Sequence, residues 1–425
     1  MREDSRRSRL FRLVLLAAAL GLVVGGLSSC ATPAPPAPAT AEVMRETVVV
    51  KETVIVPATP ETPELKEPIR IGISEPFTGP VAWIGEDYLR GTRLAAEEIN
   101  AEGGIQGHPV EIFACDDEAL PEKSISCVRF LIDQQDVQIL LDMGSSGTAL
   151  ACMPVIEEYA DAVLLISACS SALISDRAGE GGNIWTFRAN PNDRMMALAF
   201  SGYVAAQTDS VSFYSQNSEY GRGAVEQMKP LLEAAGVDVL SEDYFEAGQP
   251  DHRPVLTRIK SLNPGAVYSV MEAMDAATMM RQFHELGLTA KVFARGSVVS
   301  LEFLDAIADD PSLGEGIVEC TFADPGASPD FMEAYTARWN ESPPMHAAAA
   351  YDALRYIIPQ AVEFAIQETG GVTATAIRDG FEKVSVETPV FGLVEFDEYH
   401  QAHTFIFLKT IEDGEIKILD TLIPE

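Results

Sequence analysis

The alternation of short β-branched runs with longer helical stretches constrains the fold of this chain more than any other feature. From residue 69 onward, runs rich in valine and isoleucine are short enough for strands, and the stretches between them space apolar residues as amphipathic helices do. Predicted strands lie at 69–73, 110–113, 137–141, 162–166, 210–214, 265–270 and 291–294, and predicted helices at 87–100, 122–134, 223–235 and 276–286. This alternation predicts an α/β fold with parallel sheets covered by helices on both faces. Ligands bind such sheets at the carboxyl ends of the strands.

The length of this regular part predicts two domains, because residues 69–425 are too many for one hydrophobic core. The formal net charge of the chain is −34. A surface this acidic argues against a nucleic-acid partner and against flat contact with anionic lipid. We interpret the charge as a solubility feature or an adaptation to the medium, which leaves the identity of the ligand open.

The first 29 residues have the features of a secretory signal peptide. Five arginines precede an apolar run at 13–24, which is too short to span a bilayer comfortably, and residues 27–30 read Leu-Ser-Ser-Cys. This ending resembles the lipobox of bacterial lipoproteins. The resemblance implies that Cys30 is lipidated and that the mature protein is extracytoplasmic, in the periplasm or on the outer face of the membrane that holds its anchor.

The segment 30–67 is rich in proline, alanine and threonine, a composition that is typical of an extended tether. Residues 47–56 within it are unusually rich in valine and isoleucine. They fit either a spacer or an added strand, and we favour the spacer.

The cysteines and histidines predict neither a metal site nor an enzyme. Besides Cys30 there are five cysteines, an odd number, so at most two disulfides form and their pairing stays open; they are Cys115, Cys127, Cys152, Cys169 and Cys320. The six histidines are scattered, and no spacing is typical of zinc or of a cofactor. The chain lacks G-x-S-x-G, HExxH and P-loop motifs, and no histidine is placed to activate Cys169, which we expect to be structural.

A series of short motifs in a fixed order resembles the leucine/isoleucine/valine-binding proteins, which are type I periplasmic binding proteins serving ABC importers. The resemblance covers essentially all of 69–425. The matching motifs are Ile71-Gly72-Ile73, Pro76-Phe77-Thr78-Gly79-Pro80, Gly85-Glu86, Gly91, residues 95–100, Gly103-Gly104-Ile105-Gln106-Gly107, Asp116-Asp117, residues 144–148, Tyr220-Gly221-Arg222-Gly223, Arg281-Gln282, Gly287-Leu288 and Tyr351-Asp352-Ala353.

The resemblance implies two Rossmann-like lobes with parallel sheets, joined by a three-crossover hinge and closing on a small ligand. Lobe I is expected at 68–187 and 321–389, and lobe II at 188–320 and 390–425. Closure around the ligand is a hinge motion.

Two turns are candidate seats for a ligand carboxylate, because each follows a predicted strand with hydroxyls and free backbone N–H groups at a helix start. The first turn contains Ser145, Ser146, Gly147 and Thr148, and the second contains Cys169, Ser170 and Ser171. Serine and threonine are also preferred as ordinary helix caps, but we favour ligand binding because both turns match positions that hold the α-carboxylate in the family.

The remaining site residues depart from the family pattern. Where the family has an acidic residue before a glycine to bind the α-ammonium group, this chain has Arg295-Gly296. Glu272 or Asp275 is then the candidate anion, and Arg295 either pairs with one of them or binds a second ligand carboxylate. Tyr220 lies where the family places an aromatic residue over the ligand, although a core position is equally consistent.

Near the start of lobe I, the family's aromatic residue before Gly-Glu is replaced by Ile84, with Trp83 one position earlier. Trp83 either covers the pocket or packs on its own loop. These departures leave an amino-acid-like solute as the expected ligand and branched-chain specificity in doubt.

The sequence therefore predicts a monomeric, lipid-anchored solute-binding component of an ABC importer, with an importer permease as its partner. The alternative is a ligand-sensing receptor of the same fold, responding to an amide, urea or an amino acid. The absence of an attached kinase or transmembrane receptor segment in the given sequence favours delivery of solute.

Overall fold

In the computed structural model the described residues are 51–52 and 66–424. Cys30, the predicted signal peptide and nearly all of the predicted tether lie outside them. Within the described residues, no helix is long and apolar enough to cross a membrane.

The first sheet has six strands in the order β1-β3-β2-β4-β5-β6, and β2 to β6 run parallel. Strands β2 to β6 are almost fully buried, which explains their high content of isoleucine, leucine and valine. The elements are β1 Lys51–Glu52, β2 Ile69–Glu75, α1 Ala82–Ala101, β3 Val110–Asp116, α2 Pro121–Gln135, β4 Ile139–Met143, α3 Ser146–Tyr159, β5 Val163–Ile166, α4 Ala172–Ser175 and β6 Thr186–Arg188.

Strand β1 lies within residues 47–56, the segment rich in valine and isoleucine that we interpreted as a spacer. Lys51 and Glu52 pair antiparallel with Phe113 and Ile112 at the edge of the first sheet. For these two residues the structure supports the added strand, because the edge of β3 offers unpaired backbone groups. The rest of 47–56 lies outside the described residues.

The second sheet has seven strands in the order β15-β14-β11-β10-β9-β7-β8. β7 to β11 are parallel, and β14 and β15 add an antiparallel hairpin at one edge. The elements are α5 Asp193–Ala205, β7 Ser210–Gln216, α6 Glu219–Ala234, β8 Asp238–Phe245, α7 Arg253–Leu262, β9 Ala266–Met271, α8 Ala273–Glu285, β10 Lys291–Gly296, α9 Leu301–Ala306, a 3₁₀ turn Pro311–Gly314, β11 Val318–Thr321, β14 Ile406–Glu412 and β15 Glu415–Leu422.

The chain between β11 and β14 returns to the first sheet. Helix α11 packs so closely on α1 that a Cβ atom at Gly91 would lie 2.1 Å from the carbonyl oxygen of Ala347, so only glycine allows this approach. The elements are a 3₁₀ turn Pro325–Ala327, α10 Pro329–Trp339, α11 Met345–Asp352, a π-helical turn Ala353–Ile357, α12 Ile358–Thr369, α13 Ala374–Phe381, β12 Ser385–Thr388 and β13 Gly392–Glu395.

These connections confirm the predicted α/β class with parallel sheets, and the chain passes between the two sheets three times. β12 and β13 form an antiparallel hairpin that the predicted boundary at 389/390 would divide. We therefore propose that the third crossover follows Glu395, with lobe I built on the first sheet and lobe II on the second.

The first and third crossovers are tied together by buried hydrogen bonds. Arg188 donates from Nε to Oε1 of Gln401 at 2.7 Å and from Nη1 to the carbonyl of Ser171 at 2.7 Å. Gln401 in turn donates to the carbonyl of Asn190 at 2.9 Å. Buried polar groups that are fully partnered specify one arrangement of the chain, so this network aligns the two lobes at the hinge.

The described cysteines form one disulfide, between Cys115 and Cys127 in lobe I. Cys152, Cys169 and Cys320 are free and buried. Burial and the nearby Asp142 raise the pKa of the Cys169 thiol, which keeps it protonated and poorly nucleophilic.

Candidate functional site

A cavity of about 290 Å³ lies between the lobes, at the carboxyl ends of the strands of both sheets. Its position agrees with the rule for open α/β sheets. Lobe I and the second crossover contribute Glu75, Val81, Ile84, Tyr88, Ala119, Pro121, Asp142, Gly144, Ser145, Ser146, Gly147, Ala168, Cys169, Phe322, Met345 and His346, and lobe II contributes Gln216, Ser218, Glu219, Tyr220, Glu272 and Gly296.

The first predicted turn opens α3 directly at the cavity. Ser145 is the N-cap, with extended backbone angles, and its hydroxyl accepts a hydrogen bond from the backbone N–H of Thr148 at 3.3 Å. The Thr148 hydroxyl accepts from the Ser145 N–H at 2.8 Å, which completes a capping box. Thr148 is fully buried and does not line the cavity, so its hydroxyl serves the helix start.

Besides the N-cap residue Ser145, the residues of this turn that line the cavity are Ser146 and Gly147. They occupy the first two helical positions, whose N–H groups have no acceptor within the helix. The Ser146 hydroxyl accepts from the Ser171 N–H at 3.2 Å, which leaves its own hydrogen free to donate. Together they offer donors and the positive end of α3 to an anion.

Of the three residues predicted to bind the ligand in the second turn, Cys169 lines the cavity, together with its neighbour Ala168. Ser170 lies behind it and accepts from Nη2 of Arg295 at 3.3 Å. Ser171 caps α4, and its hydroxyl donates to Oε1 of Glu219 at 3.0 Å. Since Ser171 belongs to lobe I and Glu219 to lobe II, the two lobes are in contact at this edge of the cavity.

Arg295 is placed differently from both expectations for it. Its guanidinium forms an ion pair with Asp193 at 2.5 Å, and both side chains are almost completely buried. It therefore pairs with neither Glu272 nor Asp275, and it does not line the cavity. Arg295 carries a positive charge where the family has an acidic residue, and Asp193 neutralises that charge inside lobe II.

Gly296 does line the cavity and requires the absence of a side chain. Its φ angle is +127°, and a Cβ atom there would lie 2.0 Å from the carbonyl oxygen of Met271 and 2.9 Å from the hydroxyl oxygen of Tyr220. Tyr220 also lines the cavity, at the start of α6. The glycine thus lets the tyrosine ring approach the end of β10.

Of the two candidate anions in lobe II, only Glu272 lines the cavity. It precedes α8, and its Oε2 accepts from the Ser297 hydroxyl at 2.7 Å. Burial, and next the neighbouring carboxyl of Glu319, raise the pKa of Glu272 to about 7. Asp275 instead accepts from the Gly248 N–H at 2.8 Å and lies outside the lining.

Two lobe I carboxyls in the lining were not predicted. Glu75 ends β2, and its Oε1 accepts from the Gly144 N–H at 2.9 Å. Burial, and next the charge of Asp142, raise the pKa of Glu75 well above its ordinary value. Asp142 is held by hydrogen bonds from Tyr88, from the Ser167 N–H and from the Cys169 thiol. Both acids lie near carboxyl ends of predicted strands, a signal that could have found them.

Trp83 does not line the cavity but packs edge-on against His346, with ring centroids 5.7 Å apart. His346, which was not predicted, lines the cavity and is 5% exposed. Burial lowers the pKa of His346 to about 4, so the ring is neutral at pH 7. Its Nδ1 has no hydrogen-bond partner among the described residues.

Comparison with known proteins gives four informative similarities. The family model for periplasmic binding protein matches residues 68–415. The chain is 26% identical over 321 residues to a Leu/Ile/Val-binding protein of Rhizobium johnstonii, covering 74% of this chain and 84% of that protein. Among solved structures, the branched-chain amino acid transporter substrate binding protein LivJ of Streptococcus pneumoniae, in complex with isoleucine, aligns with a TM-score of 0.72 and 21% identity over 84% of this chain and 99% of that one.

A solute binding protein of an ABC transporter from Rhodopseudomonas palustris, in complex with 3,4-dihydroxybenzoic acid, aligns with a TM-score of 0.74 and 21% identity over 84% of this chain and 98% of that one. At these identities the two solved structures establish a shared fold and nothing about the ligand of this chain.

Proposed function

Since the chain belongs to the periplasmic binding protein family, we propose that it is the extracytoplasmic solute-binding component of an ABC importer and that its ligand is a small amino acid. The observation that carries the proposal is the arrangement of the cavity, in which the α3 N-terminus of lobe I and Glu272 of lobe II line the same space. An amino acid has an anionic and a cationic group on one carbon atom, and it would bind both lobes at once.

In the proposed binding mode, the ligand carboxylate accepts hydrogen bonds from the N–H groups of Ser146 and Gly147 and from the Ser146 hydroxyl. Glu272 binds the α-ammonium group, and Tyr220 lies against the bound molecule. A ligand held by both lobes stabilises the closed form relative to the open one, and this difference in free energy is the signal that a permease would read. No catalytic step is part of the proposal.

The direct test is thermal unfolding of the purified chain against the standard amino acids, short amides, urea, benzoate and small dicarboxylates. A ligand that binds only the folded state stabilises it by about 2.7 kcal/mol at a hundredfold excess over its dissociation constant. We expect at least one amino acid to raise the melting temperature and amides without a carboxylate to leave it unchanged. Stabilisation by carboxylates without an amino group, with none by amino acids, would contradict the role of Glu272.

The two hydroxyls of the α3 turn give a matched pair of variants. Thr148→Val should lower the free energy of unfolding by about 1–3 kcal/mol, because the Ser145 N–H loses a buried acceptor, while affinity stays unchanged. Ser146→Ala should instead weaken amino-acid binding about tenfold, because one donor to the carboxylate is lost. Titration calorimetry and urea unfolding of both variants check this, and equal affinities in the two would remove Ser146 from the site.

Lipid anchoring at Cys30 and a monomeric state are part of the proposal and rest on the sequence alone. Cys30→Ser should move the protein from the membrane fraction to the soluble fraction of cells, since the acylated thiol is lost. Retention of the variant in the membrane fraction would show that another segment anchors the chain.

A further inference from the structure

The charge of the cavity lining goes beyond what a zwitterionic amino acid requires. Among the described residues, four carboxyl side chains line it, those of Glu75, Asp142, Glu219 and Glu272, and no lysine or arginine does. The nearby Arg295 is already paired with Asp193. A zwitterion supplies one ammonium group, so closing the lobes on it would leave the other carboxyl groups either charged without a counter-charge or protonated. A second ammonium group on the ligand would remove this cost.

The positions of these carboxyls argue against a bound metal ion as the missing positive charge. Glu75 ends β2, Glu219 begins α6 and Glu272 precedes α8, so they come from three separate elements. Among the described residues, no group of three or more acidic, histidine or cysteine side chains is close enough to hold a metal ion. The positive charge that complements this lining is therefore better supplied by amino groups of an organic ligand.

The hydrogen bonds indicate which carboxyls are available. Asp142 already accepts from Tyr88, Ser167 and Cys169. Glu75 and Glu219 each have only one oxygen engaged among the described residues, with the Gly144 N–H and the Ser171 hydroxyl respectively. Each can accept a hydrogen bond from a ligand without losing the hydrogen bond that it already forms within the protein.

A second observation also indicates a ligand rich in donors. Oε1 of Gln216, another residue of the lining, is a buried acceptor without a partner among the described residues. Nδ1 of His346, whose side chain is more than nine-tenths buried, likewise has no hydrogen-bond partner among the described residues and can accept when the proton is on Nε2. Buried acceptors are normally paired, so ligand groups with several N–H donors fit this part of the lining better than aliphatic groups do.

The volume limits the size of the ligand. A water molecule occupies about 30 Å³ in the liquid, so a cavity of about 290 Å³ holds roughly ten water-sized groups. Leucine and lysine both fit within this limit, which means that charge decides between them.

We propose that the preferred ligand is a small diamino acid, such as ornithine or lysine, whose second amino group is bound by Glu75 or Glu219 while Glu272 binds the first. This inference rests on the proposed function and specifies the ligand class of the same site. It assigns Glu75 and Glu219 to specificity, because a neutral aliphatic amino acid makes no charged contact with either.

The test is titration calorimetry of the purified full chain with L-ornithine, L-lysine, L-leucine and L-glutamate. We expect ornithine or lysine to bind at least tenfold more tightly than leucine, and glutamate not to bind measurably. Leucine binding as tightly as both diamino acids would overturn this inference and leave the proposed function standing. Binding of none of the four, together with no stabilisation by any other amino acid, would overturn both.

Variants of the lining test the assignment of the second amino group. Glu75→Gln and Glu219→Gln keep the shape of the side chain and the acceptor oxygen, so the hydrogen bonds to Gly144 and Ser171 can persist. In at least one of them we expect the preference for the diamino acid over leucine to fall about tenfold. Glu387→Gln, on the exposed face of β12, is the matched control and should keep the preference. An unchanged preference in both lining variants would overturn the assignment.

Discussion

Replacing Arg295 by methionine is expected to lower the free energy of unfolding by about 3–5 kcal/mol, the cost typical of breaking a buried ion pair by removing one partner. The guanidinium is 3% exposed and its partner Asp193 is fully buried. Methionine fills a similar volume but leaves the Asp193 carboxylate without its counter-charge. Because Arg295 does not line the cavity, the choice among ligands should remain as in the unchanged protein.

Urea unfolding measures this loss. An unchanged dependence of the unfolding free energy on urea concentration verifies that the variant differs in stability and not in the surface exposed on unfolding. The double variant Asp193→Asn with Arg295→Met should be less destabilised than the sum of the two single variants, because the unpaired charge is gone. Arg253→Met is the control, because it removes an exposed ion pair with Glu285. Solvent screens such a pair, so we expect this variant to lose little stability. If Arg295→Met lost as little stability as this control, or changed which ligands bind, the role of Arg295 would not be to neutralise Asp193 in the interior.

Replacing Glu272 by glutamine should weaken amino-acid binding by about 2–5 kcal/mol, the range measured when one partner of a buried, hydrogen-bonded charge pair is removed. The amide keeps an oxygen that can accept from Ser297, so the fold around β10 should be retained. Calorimetry measures the affinity, and a circular dichroism melt verifies folding. Asp275→Asn, a change of the same kind three positions further along and outside the lining, should have a much smaller effect.

The same carboxyl predicts how affinity depends on pH. The pKa of Glu272 is raised to about 7 by burial, with further contributions from the carboxyls of Glu319, Asp275 and Glu302. A group whose pKa is raised in the empty protein must release a proton before it pairs with an ammonium group, so affinity should increase from about pH 6 to about pH 8. Glu272→Gln should flatten this part of the profile, and an affinity that falls with rising pH would contradict the assignment.

Much of the site could be located from the sequence because its backbone features are local. The turns after β4 and β5 follow from strand and helix patterns, whereas Tyr220, Glu272 and Gly296 were predicted by comparison with the family. The predicted residues that line the cavity are Ser145, Ser146, Gly147, Cys169, Tyr220, Glu272 and Gly296. Thr148, Ser170 and Ser171 lie in the same turns, but their side chains complete caps or contacts with the other lobe. Residue type alone does not distinguish a hydroxyl that binds a ligand from one that caps a helix.

The sequence by itself determined the α/β class with parallel sheets and the places where strands give way to helices, because these follow from apolar periodicity and turn residues close together in the chain. Only the tertiary structure decided which charges neutralise one another. Arg295 pairs with Asp193, 102 positions away, and the cavity carboxyls come from elements of both lobes. Electrostatic partners depend on distance in space and on burial, and neither can be obtained from the order of residues when the partners lie far apart along the chain.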